Sequence, residues 1–148
     1  MRTGRRVALD PGSVRIGVAL SDQDAVLASP QPAVAAGDLQ VLVDMVREWD
    51  PMEIVVGLPL GMDGREGPAA QRARAFADEL ALRVSAPVRL VDERLSTVQA
   101  QRGLHAQGRS VRQSRDMIDS ASATVVLQHA LDVERNTGEP PGEVYTPQ

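Results

Sequence analysis

Arg6-Val7-Ala8-Leu9-Asp10-Pro11-Gly12-Ser13-Val14-Arg15-Ile16-Gly17-Val18-Ala19-Leu20 holds two aliphatic runs on either side of a Pro-Gly-Ser turn signal. It reads as two strands, Arg6 to Asp10 and Arg15 to Leu20, joined by a tight turn. A weaker third strand is expected at Ala25 to Ala28. Beyond it the period changes. Leu39, Leu42, Val43 and Val46 follow helical spacing after Asp38, a residue suited to capping, and Pro51 ends that helix. Glu53 to Leu58 is a continuous apolar run of strand length, as expected of a strand buried on both faces of a parallel sheet. After the loop Pro59 to Gly67, Pro68 opens a helix to about Val84, with Ala73, Phe76, Ala77, Leu80 and Val84 in one stripe.

Val88 to Val91 reads as a last buried strand. A short helix is expected between Ser96, capped with Gln99, and Gly108, and a longer one from about Ser114 to Glu134, with Met117, Ile118, Ala121, Val125 and Leu131 on its apolar side. The predicted fold is α/β, with a central mixed five-stranded sheet: a three-strand meander plus two crossover strands, flanked by helices. Residues 1–135 form one domain in this reading. Residues 136–148, rich in Gly and Pro and without periodicity, form a loose tail.

Composition narrows the function. The 148 residues contain no cysteine and only two histidines, His105 and His129, which excludes a disulfide framework and a thiolate metal site. Apolar stretches are too short for a membrane span, and a basic N-terminus that runs into Asp10 does not match a signal peptide, so the expected location is cytoplasmic. Aromatics are limited to Trp49, Phe76 and Tyr145, which disfavours a groove lined with stacking rings. The net charge of −4 argues against holding a polyanion by total charge. Arg94 to Arg115 is the exception, with Arg94, Arg102, Arg109, Arg112 and Arg115 and no acid.

Asp10 and Glu93 each fall at the end of a strand. If those strands are parallel, both carboxylates open on one edge of the sheet, where α/β folds place their sites. Hard oxygen donors of this kind suit Mg²⁺ or Mn²⁺. For Asp10 the competing reading is a turn former before Pro-Gly.

Four blocks carry a resemblance: Asp10 to Ala19, Val56 to Leu60 with Met62-Asp63-Gly64, Asp92 to Thr97, and Ile118 to Ala123. In this order, over about Arg6 to Leu131, they resemble the YqgF (RuvX) family of ribonuclease-H-like proteins. The resemblance implies a ribonuclease-H-like fold, two-metal hydrolysis of phosphodiester bonds, and trimming of the 5′ end of the 16S ribosomal RNA precursor. Cleavage of Holliday junctions is the alternative it carries, and that substrate would require a homodimer. Transferred to this chain, the metal-binding acids are Asp10, Glu93 and Asp119.

On the strand next to the first, Ile54 to Pro59 has no acid, so Glu93 must act from two strand positions away, roughly 10 Å. Asp92 would point to the opposite face and serve as a salt-bridge partner. A carboxylate among apolar helix neighbours is costly unless paired, which favours a role for Asp119. Asp116 is either a second acid of the site or an exposed partner of Arg112. Gly12, Ser13 and Arg15 are candidate phosphate contacts, against a plain hairpin with a solvent-facing arginine. Gly61 stands where the family usually has Asn, and leaves only a backbone N–H. Gly57, Gly64 and Gly67 read as turn and packing glycines. Arg109, Arg112 and Arg115 are expected to grip substrate phosphates. The rival functions are a nucleotide-binding protein of the actin type and an RNA-binding assembly factor without turnover.

Overall fold

The computed structural model describes residues 1–94 and 118–146. β1 (Arg6–Pro11), β2 (Arg15–Ser21) and β3 (Ala28–Ala35) form an antiparallel meander. β4 (Glu53–Leu58) and β5 (Val88–Asp92) extend it in parallel on the other side of β1. The sheet order is β3-β2-β1-β4-β5-β6. Among the described residues the sheet thus has six strands rather than the expected five. The sixth, β6 (Glu143–Val144), comes from the tail and pairs antiparallel with β5. Gly142 makes this possible: at a φ of 79°, it lies where a side chain would strike the carbonyl of Leu90. Tyr145 then packs against the core and donates to Asp78 Oδ1 at 3.3 Å.

Burial follows the alternation of strand side chains. Val7, Leu9, Ile54 and Val56 face α1 (Leu39–Trp49) and α2 (Pro68–Ala81), where they meet Leu42, Val43, Val46, Ala77 and Leu80. Each large aliphatic side chain fully buried here contributes roughly 1.5–3 kcal/mol. Ala8, Ala19, Val55 and Val91 face α3 (Ala121–Thr137) on the other side. Alanines at 8, 19 and 123 let this helix lie close to the sheet.

Three local expectations are corrected. The third strand begins at Ala28, not Ala25; residues 22–27 are a turn in which Asp22 Oδ1 accepts from the N–H groups of Val26 and Leu27. Pro30 and Pro32 weaken the strand signal, and β3 tolerates them because it is an edge. Asp38 precedes α1 without a side-chain cap; its carbonyl accepts from Val41 and Leu42. The buried face of α3 is Ala123, Val126, Leu127, Ala130, Leu131 and Glu134, so the expected stripe is rotated, and Ile118 is exposed. The expected helix from Ser96 to Gly108 lies outside the described residues. Among those described, no helix is long and apolar enough to cross a membrane.

At the edge where β1 and β4 begin, charge is buried. Glu134 accepts from Arg2 at 2.7 Å and Arg6 at 3.1 Å, and Glu53 pairs with Arg2 at 3.3 Å and Arg89 at 3.2 Å. Burial opposes ionisation of Glu134, but hydrogen bonds from the Arg2 side chain and backbone, with the charges of Arg6 and Arg2, hold its carboxyl below the ordinary 4.5. Breaking a buried pair leaves its partners uncompensated. Glu134→Gln is therefore expected to lower the unfolding free energy at pH 7 by about 3–5 kcal/mol, measured in urea. A depressed carboxyl stabilises the fold above its unfolded value, and that contribution disappears as pH falls through the folded value. The difference between the two proteins should accordingly shrink on acidification below about pH 5.

Candidate active site

Asp10 lies at the carboxyl end of β1 and pairs with Gly17 on β2. On its other side, one step beyond the Leu9–Val56 pair, is Gly57 of β4. Both neighbours across the sheet therefore lack a side chain, and each gap is filled by part of the site. A Cβ on Gly57 would strike the Glu93 carboxyl group, whose Cδ would be only 2.9 Å away. A Cβ on Gly17 would lie 2.5 Å from the Asp119 carbonyl oxygen and 3.3 Å from Ser120 Cα.

Glu93 follows β5 directly, and its N–H extends the ladder to the Leu58 carbonyl at 3.1 Å. Its side chain folds back across β4 at Gly57 and hydrogen-bonds Asp10. Burial, this bond and the nearby charges of Asp10 and Asp92 push the Glu93 carboxyl up to about 8. Burial and the neighbouring Asp10 thus favour the protonated form of Glu93. Asp92 points away and is clasped by Arg94 at 2.7 Å, which holds its carboxyl below the usual range.

Asp119 stands one residue ahead of Ser120, which is fully buried. The β2–β3 register shifts between Ile16 and Val18, and Ser120 fills the irregularity: its Oγ accepts from the Val18 N–H at 3.0 Å and donates to the Gln31 carbonyl at 2.6 Å. Asp119 itself is exposed, not set among apolar neighbours as expected, and its Oδ2 lies 3.5 Å from Arg15 Nε. A cleft of about 540 Å³, lined by Asp10, Gly12, Val14, Arg15 and Asp119, opens at this edge.

The structure thus brings Asp10 into contact with Glu93, and sets Asp119, Arg15 and Gly12 around the same cleft. Ser13 faces a different cavity, and Gly12 spends its N–H on the Arg15 carbonyl at 3.0 Å. The Gly61 N–H is likewise spent, on the Arg65 carbonyl at 2.9 Å. Arg109, Arg112, Arg115 and Asp116 lie outside the described residues. Sequence reasoning passed over Ser120 and treated Gly57 only as packing; the signal for Gly57 was a glycine in an otherwise apolar strand.

The donor set fits a hard divalent cation, since all its groups are oxygens and a cation would relieve the two crowded carboxylates Asp10 and Glu93. Among the described residues no three such groups converge as a complete cluster, because Asp119 is turned to Arg15.

The family model described as RuvX, Holliday junction resolvase, matches residues 4–133. The chain belongs to the RuvX family. Among its relatives, each carrying the name "Putative pre-16S rRNA nuclease", the Streptomyces coelicolor protein is 49% identical over 97% of this chain and 89% of its own. That of Leifsonia xyli is 46% identical over 100% and 98%. That of Thermobifida fusca is 49% identical over 97% of each. Thermus thermophilus RuvC in complex with Holliday junction substrate shares the fold of this RuvX-family chain: TM-score 0.61 at 12% identity, over 95% of this chain and 99% of RuvC.

The two glycines of this site should behave differently when changed to Ala. At Gly57 the added methyl meets the Glu93 side chain from Cγ to the carboxyl group, so Gly57→Ala should displace that carboxyl and bind Mn²⁺ about tenfold or more weakly by calorimetry. At Gly17 it meets backbone, and Gly17→Ala should lose about 1–3 kcal/mol of stability in urea unfolding. Glu93 keeps its proton to higher pH folded than unfolded. The metal-free protein should therefore lose stability as pH rises from 4.5 to about 8, and Glu93→Gln should abolish that slope.

Proposed function

We propose that this chain is a divalent-metal-dependent nuclease, using Mg²⁺ or Mn²⁺, that hydrolyses phosphodiester bonds in the cytoplasm and matures the 5′ end of the 16S ribosomal RNA precursor. The observation that carries this reading is the Asp10–Glu93 contact over Gly57, at the carboxyl edge of the sheet and beside Asp119 in an open polar cleft. The names of relatives 46–49% identical over nearly the whole chain support the substrate.

Asp10, Glu93 and Asp119 are the metal ligands in this reading. When bound, the ions supply an activated water and charge stabilisation of the leaving oxygen. Asp10 and Glu93 would hold such an ion as a carboxylate pair, and Asp119, 3.5 Å from Arg15 Nε, would be the third ligand. Arg15 lines the cleft beside Asp119, where its guanidinium would steady a substrate phosphate, while Ser13 opens on the neighbouring cavity. Arg109, Arg112 and Arg115, between Glu93 and Asp119 in sequence, grip further phosphates and offset the negative net charge. The description of the family favours a second substrate, a four-way DNA junction, for which two copies would have to act together.

The test is cleavage of a 16S precursor fragment and of a four-way junction, side by side in Mg²⁺ and Mn²⁺, with native mass measured on the same sample. Cleavage at the precursor's 5′ end by a monomer is expected; cleavage of the junction alone, by a dimer, would favour the second substrate. Asp10→Asn, Glu93→Gln and Asp119→Asn should each reduce the rate on the order of a thousandfold or more, and the triple variant little further. Asp119→Asn at the unaltered rate would refute the three-acid site. Arg112→Ala with Arg115→Ala should weaken binding of unrelated RNAs alike in Ca²⁺, and lower the slope of log K against log salt by roughly 0.7–0.9 per lost contact.

A further inference from the structure

Arg72, Ala75, Phe76 and Glu79 fall on one face of α2, at the i, i+3, i+4, i+7 spacing, beside the stripe of Ala73, Ala77 and Leu80 that the core takes up. With Gly12 and Ser13 of the β1–β2 turn they line a second cavity, of about 310 Å³. Gly12 also lines the carboxylate cleft, so the two cavities share a wall. They open on opposite faces of the sheet. A chain held at Asp10 that continues over the exposed tip, Ser13 and Val14, arrives at α2.

The charges along this face are ordered. Among the described residues neither Arg72 nor Glu79 has an ion-pair or side-chain hydrogen-bond partner. They stand about 10 Å apart along the helix axis, with Phe76 between them and the small Ala75 leaving room in front of it. α2 follows the loop that leaves the carboxyl end of β4, so Arg72 is nearer the cleft and Glu79 is farther. A polyanion strand can place a phosphate beside Arg72. It cannot place one beside Glu79, which instead accepts hydrogen bonds from the exocyclic amino group of a base. Phe76, the only phenylalanine of the chain, packs partly against the core, and the part of it that lines the cavity supplies the apolar surface on which a base stacks.

We infer that this cavity receives the base of one unpaired nucleotide next to the scissile bond, with Phe76 as its stacking surface, Arg72 on its phosphate and Glu79 on its amino edge. The inference rests on the nuclease reading and adds a subsite to it. A base held in a duplex stays in its stack and does not reach such a pocket, so the enzyme requires a single-stranded flank and prefers a base that carries an amino group.

The experiment scans a cleavable RNA with an abasic nucleotide, one position at a time, in Mg²⁺. In the unaltered protein one position beside the cleaved bond should raise KM about tenfold with kcat little changed. Phe76→Leu keeps the apolar packing of residue 76 but removes the ring. On intact RNA it should raise KM by a similar factor, and it should no longer respond to the abasic nucleotide at that position. Glu79→Gln should lose the preference for cytosine over uracil there. If Phe76→Leu and Glu79→Gln match the unaltered enzyme on every substrate while Asp10→Asn is inactive, the subsite is refuted and the nuclease reading stands. If the unaltered protein cleaves no nucleic acid, the nuclease reading falls and the subsite falls with it.

Discussion

Two missing side chains, one on each side of Asp10, set the rest of the structure. Across the sheet Asp10 has Gly17 on β2 and Gly57 on β4. A carboxylate between ordinary strand neighbours would be walled in by their Cβ atoms. Here one gap admits the Glu93 carboxyl and the other the Asp119–Ser120 backbone. The reach problem is solved the same way. β5 is two strand steps from β1, and Glu93 spans that distance because its arm is long and nothing stands on β4 beneath it.

α3 transmits this arrangement to the far edge of the sheet. Just ahead of its N-terminus, Ser120 is bonded to Val18 and Gln31, and near its C-terminus Glu134 is bonded to Arg2 and Arg6. These anchors are 14 residues and about 21 Å apart, so the helix is fixed at both ends on a sheet face kept flat by Ala8 and Ala19. Its position over Gly17 decides where Asp119 enters the cleft. The buried charges are costly as a source of stability. As a fixed register for α3 they have a geometric role that aliphatic packing alone, tolerant of small slides, performs less well.

The backbone plan was legible wherever the period was strong. β1, β2 and β4 and the starts of α1 and α2 follow from continuous apolar runs, helical spacing, and Pro68. β3 was displaced because an edge strand tolerates Pro30 and Pro32, and β6 was missed because two residues paired to an edge show no periodicity. The acids at strand ends pointed to the right edge of the sheet, but their contacts were not readable. Whether Glu93 reaches Asp10 depends on what stands on β4, and Gly57 has that meaning only when the register is known. Ser120 was hidden for a similar reason: it answers an irregularity between β2 and β3 that neither strand announces by itself.

The same geometry separates the two kinds of carboxylate at the site. Glu93 is half-buried and crowded by Asp10, which pushes its carboxyl up and favours its neutral form. Asp119 is exposed beside Arg15 and belongs to a turn anchored by its neighbour Ser120, not by its own side chain. One acid is thus held in place by packing and released from its proton by charge. The other is exposed and held by charge. In the proposed reading a divalent ion would draw on both properties: a fixed pair, Asp10 and Glu93, and a third acid, Asp119, positioned by its neighbour Ser120. Gly57 supplies the first by leaving β4 bare, and Gly17 the second by bringing the turn before α3 against β2.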